Sequence, residues 1–255
     1  MLADYTGFFS RAALGGFGFR WLHILFGITW IGLLYYFNFV QVPAFAAFGD
    51  EAKARNIAID KVARKALWYF RWSAFSTFVT GILITGITKD YYANGFGKSA
   101  SGIAISTGML LGTIMMLNVW GVIWRNQKVV LANAANVLAG GEADPNAAAA
   151  GRKALMASRQ NTIFSVTMLF FMVFKTHNPL TGTVLTGGEL ATYWIVALVV
   201  IGVMELNALG LLPWKTAANK GLNKLYDGPG VRNPLIAAFG VWVIFLVLTE
   251  VLFQA

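Results

Sequence analysis

The 255-residue chain is 57% apolar and only 12% charged, whereas a soluble domain carries about 25% charged residues; this argues against a water-soluble globule. It has no cysteine, which rules out disulfides, thiolate zinc sites, iron–sulfur clusters and a covalently attached c-type haem, so any cofactor must be held by nitrogen or oxygen. The formal charge of +9 could suggest a nucleic-acid surface, but the positions of the charges give a different account.

The N-terminal stretch "MLADYTGFFS" has no basic n-region and no cleavage site, so no signal peptide is expected. Apolar runs long enough to cross a bilayer core of about 30 Å predict six spans, at about 19–40, 68–88, 103–124, 160–177, 192–212 and 234–253. The expectation is one all-α polytopic membrane domain over residues 1–255. The first span, "GFRWLHILFGITWIGLLYYFNFV", carries Arg20 and His23 near its start. After it, "GDEAKARNIAIDKVARKALWYF" reads as an amphipathic helix on the membrane surface, capped by Asp50. The third span contains Asn118 and a G-x-x-x-G, "GMLLG" at 108–112, which lets another helix approach closely. The next connection has Gly-Gly and Pro between Ala-rich pieces, predicting two short helices around a turn.

The fourth span, "NTIFSVTMLFFMVFKTH", is short, holds Ser165 and Thr167, and ends at His177. Hydroxyls of that kind can bond back to their own helix. The fifth span holds Glu205 near its middle, where an acidic group is costly and should face the bundle interior. A hydrogen bond to Asn118, a proton relay and contact with a cofactor edge are the three roles open to it. The turn "DGPGVRNP" precedes the sixth span. Trp21, Trp68, Trp72, Trp124 and Trp214, near span ends, suit interfacial belts.

Of the 20 basic residues, 15 fall in the three connections on the side opposite the termini, and Arg11, Arg20, Lys89, Lys98 and Lys175 fall on the side of the termini. The positive-inside rule makes the basic side cytoplasmic and both termini periplasmic. This suits a multi-pass protein of the bacterial inner membrane and leaves no need for nucleic acid.

His23 and His177 are the chain's two histidines. The six-span topology places both near the outer face, on separate helices. A six-coordinate haem requires one imidazole from each side, and neutral imidazole is the commonest side-chain metal ligand. On this reading both are metal ligands of a non-covalent b-type haem, and Arg20, one turn before His23, pairs with a propionate. On the competing reading His23 makes a hydrogen bond between helices and His177 is an interfacial loop residue. No catalytic residue is assigned.

Four segments, "RWLHILFGITWIG" (20–32), "FRWSAFSTFVTG" (70–81), "GTIMMLNVWGVIWRNQKVV" (112–130) and "SRQNTIFSVTMLFFMVFKTHNPL" (158–180), together resemble the membrane domain of the bacterial cytochrome-c-linked urate oxidases. The resemblance implies a helical membrane domain with an outer histidine pair, passing electrons to a cytochrome c. The chain departs from that pattern in three places. Ser73 stands where the family has a glutamate, Gln160 where it has a histidine, and no cytochrome c domain follows the sixth span. The first two exchanges remove the best acid–base candidates. The expected function is a membrane redox subunit; the alternative is a non-catalytic accessory subunit of a larger membrane complex.

Overall fold

The computed structural model describes residues 7, 10, 13–87, 91, 95–177, 183–213, 217–228 and 230–253. Arg11, Lys89, Trp214, Lys215 and Ala255 lie outside the described residues. The fold is a bundle of six long helices: α1 Leu14–Ala47, α2 Ala52–Ile87, α3 Ala100–Leu138, α4 Ala147–His177, α5 Gly187–Leu209 and α6 Arg232–Phe253. Buried apolar side chains of all six form one core cluster.

The helices start and stop where the sequence supplies the chemistry. Ser99 caps α3 by accepting from the Gly102 amide at 3.1 Å. Thr186 and Glu189 form a reciprocal capping box at the start of α5, and Gly210, with φ 69°, ends it in the left-handed region. In α1 the turns widen over Tyr36–Gln41, just before Pro43. A proline inside a regular helix removes a hydrogen bond and clashes with the preceding turn; the wider turn accommodates both effects.

The connections differ from expectation. The amphipathic segment is the first part of α2 itself, and Glu51, not Asp50, sits at its N-cap, with no side-chain capping bond. The two short helices expected after span three are extensions of α3 and α4 beyond the membrane-spanning lengths. The apolar runs of α2, α3 and α4 are therefore continuous with polar helical stretches at the basic end, since helix propagation needs no new nucleus.

Five helices are long and apolar enough to cross a membrane by length and composition, and α4 is not among them. Yet α4 runs through the middle, touching α1, α3, α5 and α6. Gln160, Asn161, Thr162, Ser165 and Thr167 on α4 are all 0% exposed. This polar stretch is sheathed by other helices and need not be apolar, whereas further along α4 Leu169 and Val173 are exposed and apolar. Close packing helps: a Cβ on Gly108 would lie 3.3 Å from Met172 of α4, so the G-x-x-x-G is used for the α3–α4 approach. Phe171 of α4 meets Phe245 of α6 edge-on at 5.9 Å.

At one end, Leu185 donates to the Lys98 carbonyl at 2.9 Å, joining the segments before α3 and α5. At the basic end, Arg152 forks onto Asp227 at 2.5 and 3.0 Å. Arg159 donates to the carbonyls of Tyr226 and Gly230 and lies 3.9 Å from Asp227. Burial pushes the Asp227 carboxyl up, but the Arg152 fork, the Asn219 amide and the charges of Arg152 and Arg159 outweigh it and hold it below its ordinary value.

Asp227→Asn should destabilise the protein by at least about 2 kcal/mol. That is below the ~3–5 kcal/mol of fully buried pairs, because Arg152 is 38% exposed. Thermal melting in detergent checks this. Because the folded carboxyl titrates below the unfolded one, the contribution is complete above about pH 4. It is lost as the pH falls through the depressed folded value, so wild type and Asp227→Asn should converge in strong acid.

Candidate functional site

Two polar regions lie inside the apolar frame, and the sequence-predicted residues divide between them. The first is around His23 on α1. Its Nδ1 lies 2.8 Å from the Thr77 carbonyl and 3.2 Å from Thr80 Oγ1, both on α2. A carbonyl only accepts, so Nδ1 carries the proton and Nε2 keeps its lone pair. Nε2 has no hydrogen-bond partner among the described residues. Gly81 faces the ring, and a Cβ there would lie 3.3 Å from His23 Cε1. Ser73, one turn before Thr77, is buried and donates to the Phe70 carbonyl at 3.0 Å. Arg20 is exposed one turn before His23.

His177, the last residue of α4, is exposed. It lines a shallow groove of about 460 Å³ with Leu169, Phe170, Val173 and Phe174, all on α4. Both histidines lie in the half of the bundle opposite the basic connections, as the topology predicts. They face different elements, however: His23 turns to α2, and the groove at His177 contains nothing from α1 or α2. No described contact gathers the two imidazoles on one centre. His23 has its proton fixed on Nδ1 by a carbonyl, with Nε2 unpartnered among the described residues.

The second region occupies the basic-side half. Asn118 Nδ2 donates to Asn161 Oδ1 at 3.0 Å and to Glu205 Oε2 at 3.2 Å. Its two hydrogens thus join α3 to α4 and to α5, as the hydrogen-bond reading of Glu205 expected. Asn161 in turn donates to the Met115 carbonyl at 2.9 Å, beside the wide turn Val119–Ile123. Asn126 donates to the Val122 carbonyl at 2.8 Å, and Asn38 of α1 to the Leu34 carbonyl at 2.9 Å and to Ser158 of α4 at 2.8 Å.

Glu205 is not central in its helix. It sits one turn before the end of α5 at Leu209. The connection that follows folds back under the bundle, and its Tyr226 is 0% exposed. The phenol lies 2.5 Å from Gln160 Oε1 and 2.9 Å from the Met204 carbonyl, while Gln160 Nε2 is buried without a partner. One phenolic hydrogen faces two acceptors. With the carboxamide turned over, Nε2 donates to the phenol and the phenol donates to Met204.

Sequence reasoning missed Asn161, Tyr226, Arg152, Arg159 and Asp227. The available signal was "RQNT" at 159–162, four polar residues in a row entering a presumed span. Nothing comparable marked Tyr226, which reads as a loop residue and is placed by tertiary folding.

Glu205→Gln should fold as wild type, since the amide oxygen still accepts from Asn118. Asn118→Leu should cost about 1–3 kcal/mol by leaving Asn161 Oδ1 and Glu205 without their donor. Denaturation of both variants in detergent tests this order, and an equal loss in both would overturn it.

A family model described as "Urate oxidase N-terminal" matches residues 91–208. The matched stretch holds α3, α4 and most of α5, with Asn118, Gln160, Asn161, His177 and Glu205. His23 lies before it and Tyr226 after it. No curated protein and no solved structure matches the chain.

Proposed function

We propose, from the match of residues 91–208 to the urate oxidase N-terminal family model, that the chain is a membrane redox subunit that holds a b-type haem on His23 and passes electrons to a cytochrome c. The observation that supports this reading is the His23 imidazole. It is pinned by the Thr77 carbonyl at 2.8 Å, and Nε2 has no hydrogen-bond partner among the described residues. The carbonyl fixes the tautomer and ring orientation that a ligand needs before it meets iron. When bound, a haem supplies a one-electron couple. Arg20, a turn earlier at the end of the bundle away from the basic connections, offers a cation to a propionate. The 15-to-5 basic asymmetry supports an inner-membrane location with the basic end in the cytoplasm, which puts His23 within reach of a periplasmic partner.

The accessory-subunit reading is favoured by a different observation. Asn118, Asn161 and Glu205 satisfy one another, and Ser73 and Gln160 replace the acid and imidazole that the resemblance would place there. A network closed on itself holds helices in register and has no acid–base pair for a substrate.

Purified protein should show a Soret band and a reduced α-band, both lost in His23→Ala. His177→Ala should leave the spectrum in place, since no described contact brings His177 to His23; a change to five-coordination in that variant would make His177 the second ligand. Protein that takes up no haem on reconstitution supports the accessory role. A reporter fused to the C-terminus should be active only in the periplasm, and cytoplasmic activity would reverse the topology.

A further inference from the structure

Arg71 of α2 has no counter-charge. Its guanidinium carbon lies 3.8 Å from the centre of the Trp124 ring and 5.9 Å from that of Trp120, both on α3. The Trp120 indole donates to the Arg71 carbonyl at 3.0 Å, fixing the two helices at this level. No carboxylate lies within 4.0 Å of Arg71 among the described residues, and its Nε is buried without a partner. Stacking on an indole covers a face of the guanidinium and leaves its N–H edge unused. A buried donor that lacks an acceptor costs about 1–3 kcal/mol, so the site is incomplete as it stands.

The surroundings indicate what completes it. Trp120, Trp124 and Lys128 follow one another at four-residue steps, so Lys128 extends the same face of α3 toward the basic end. Lys128 is exposed and forms no ion pair among the described residues. One further turn along, Arg64 is already neutralised by Asp60 at 2.6 Å and donates to the Leu131 carbonyl at 3.2 Å, closing the groove between the helices. Trp68 and Trp72, on α2 beside Arg71, are 49% and 41% exposed. Exposed indoles in a membrane protein mark headgroup depth. Between α2 and α3, Arg71 and Lys128 thus stand as two cations without ion-pair partners among the described residues, beside exposed indoles of the kind that mark headgroup depth.

We propose that the α2–α3 groove binds the phosphate of an anionic phospholipid. Arg71 donates through its Nε–H edge, and Lys128 acts as a second, mobile point charge. This inference does not depend on whether His23 carries haem.

The full chain in neutral detergent is titrated with dioleoylphosphatidylglycerol, dioleoylphosphatidylcholine or inorganic phosphate while its melting midpoint is followed. Phosphatidylglycerol should raise the midpoint saturably, and the other two should not. Arg71→Gln and Lys128→Gln should each raise the half-saturating phosphatidylglycerol concentration about tenfold, and Lys98→Gln, at the opposite end, should leave it unchanged. Equal shifts with phosphatidylcholine, or an Arg71→Gln titration that overlays wild type, would overturn the proposal. The same shift with inorganic phosphate would also overturn it, in favour of a free-anion site. Should Arg71→Gln fail to fold, the exposed Lys128→Gln carries the same comparison.

Discussion

The bundle depends on one helix whose polar stretch, residues 159–167, is covered by other helices. Because α4 is surrounded by α1, α3, α5 and α6, its side chains answer to other helices, and a polar residue there needs only a protein partner. Asn161 reaches Asn118, Gln160 reaches Tyr226, Ser158 receives Asn38, and Ser165 lies 2.9 Å from the Tyr35 hydroxyl. Together these bonds tie α1, α3 and the connection after α5 to α4. Interhelical hydrogen bonds in membranes average only about 0.6 kcal/mol, so their main effect is to fix register. A one-turn slip of α3 along α4 would keep most apolar contact but separate Asn118 from Asn161 and strand both carboxamides.

The sequence made the outer surface of this bundle legible and concealed its middle. Lipid-facing helices must be apolar along their length, so five spans declare themselves by hydropathy alone. The fourth span is short and holds Ser165 and Thr167, and these hydroxyls, both 0% exposed, mark the most buried stretch of helix. Asn118 and Glu205 could be paired from sequence because each is conspicuous in an apolar run. Tyr226 could not, because no periodicity announces a loop that folds back into a core. His23 was noticed for its rarity, but its partner Thr77 lies 54 residues away, and sequence has no means of linking a side chain to that backbone carbonyl.

The family-matched stretch and the histidine environment occupy different parts of the fold. Residues 91–208 cover the carboxamide-rich helices, whereas His23 and Thr77 stand on α1 and α2. In this chain the matched helices hold their polar groups closed, and the free imidazole nitrogen lies on the helix pair outside them. The imidazole that motivates the redox reading and the carboxamide network that motivates the accessory reading therefore lie in different parts of one bundle.

The polarity of α4 also bears on how the protein is made. A segment leaves the insertion machinery for lipid when its transfer is favourable by itself, and polar residues at mid-helix oppose that step. With its buried carboxamides exposed to hydrocarbon, α4 gains nothing by partitioning early. Its insertion must be cooperative, with α3 already in place to accept Asn161 and with α5 and α6 following closely to cover the remaining faces. A nascent chain that ends just after α4 would leave it outside the bilayer and move His177 to the opposite compartment, an outcome that glycosylation mapping of truncated chains would report. The side chains that fix the register of the finished bundle thus also set the order in which its pieces enter the membrane.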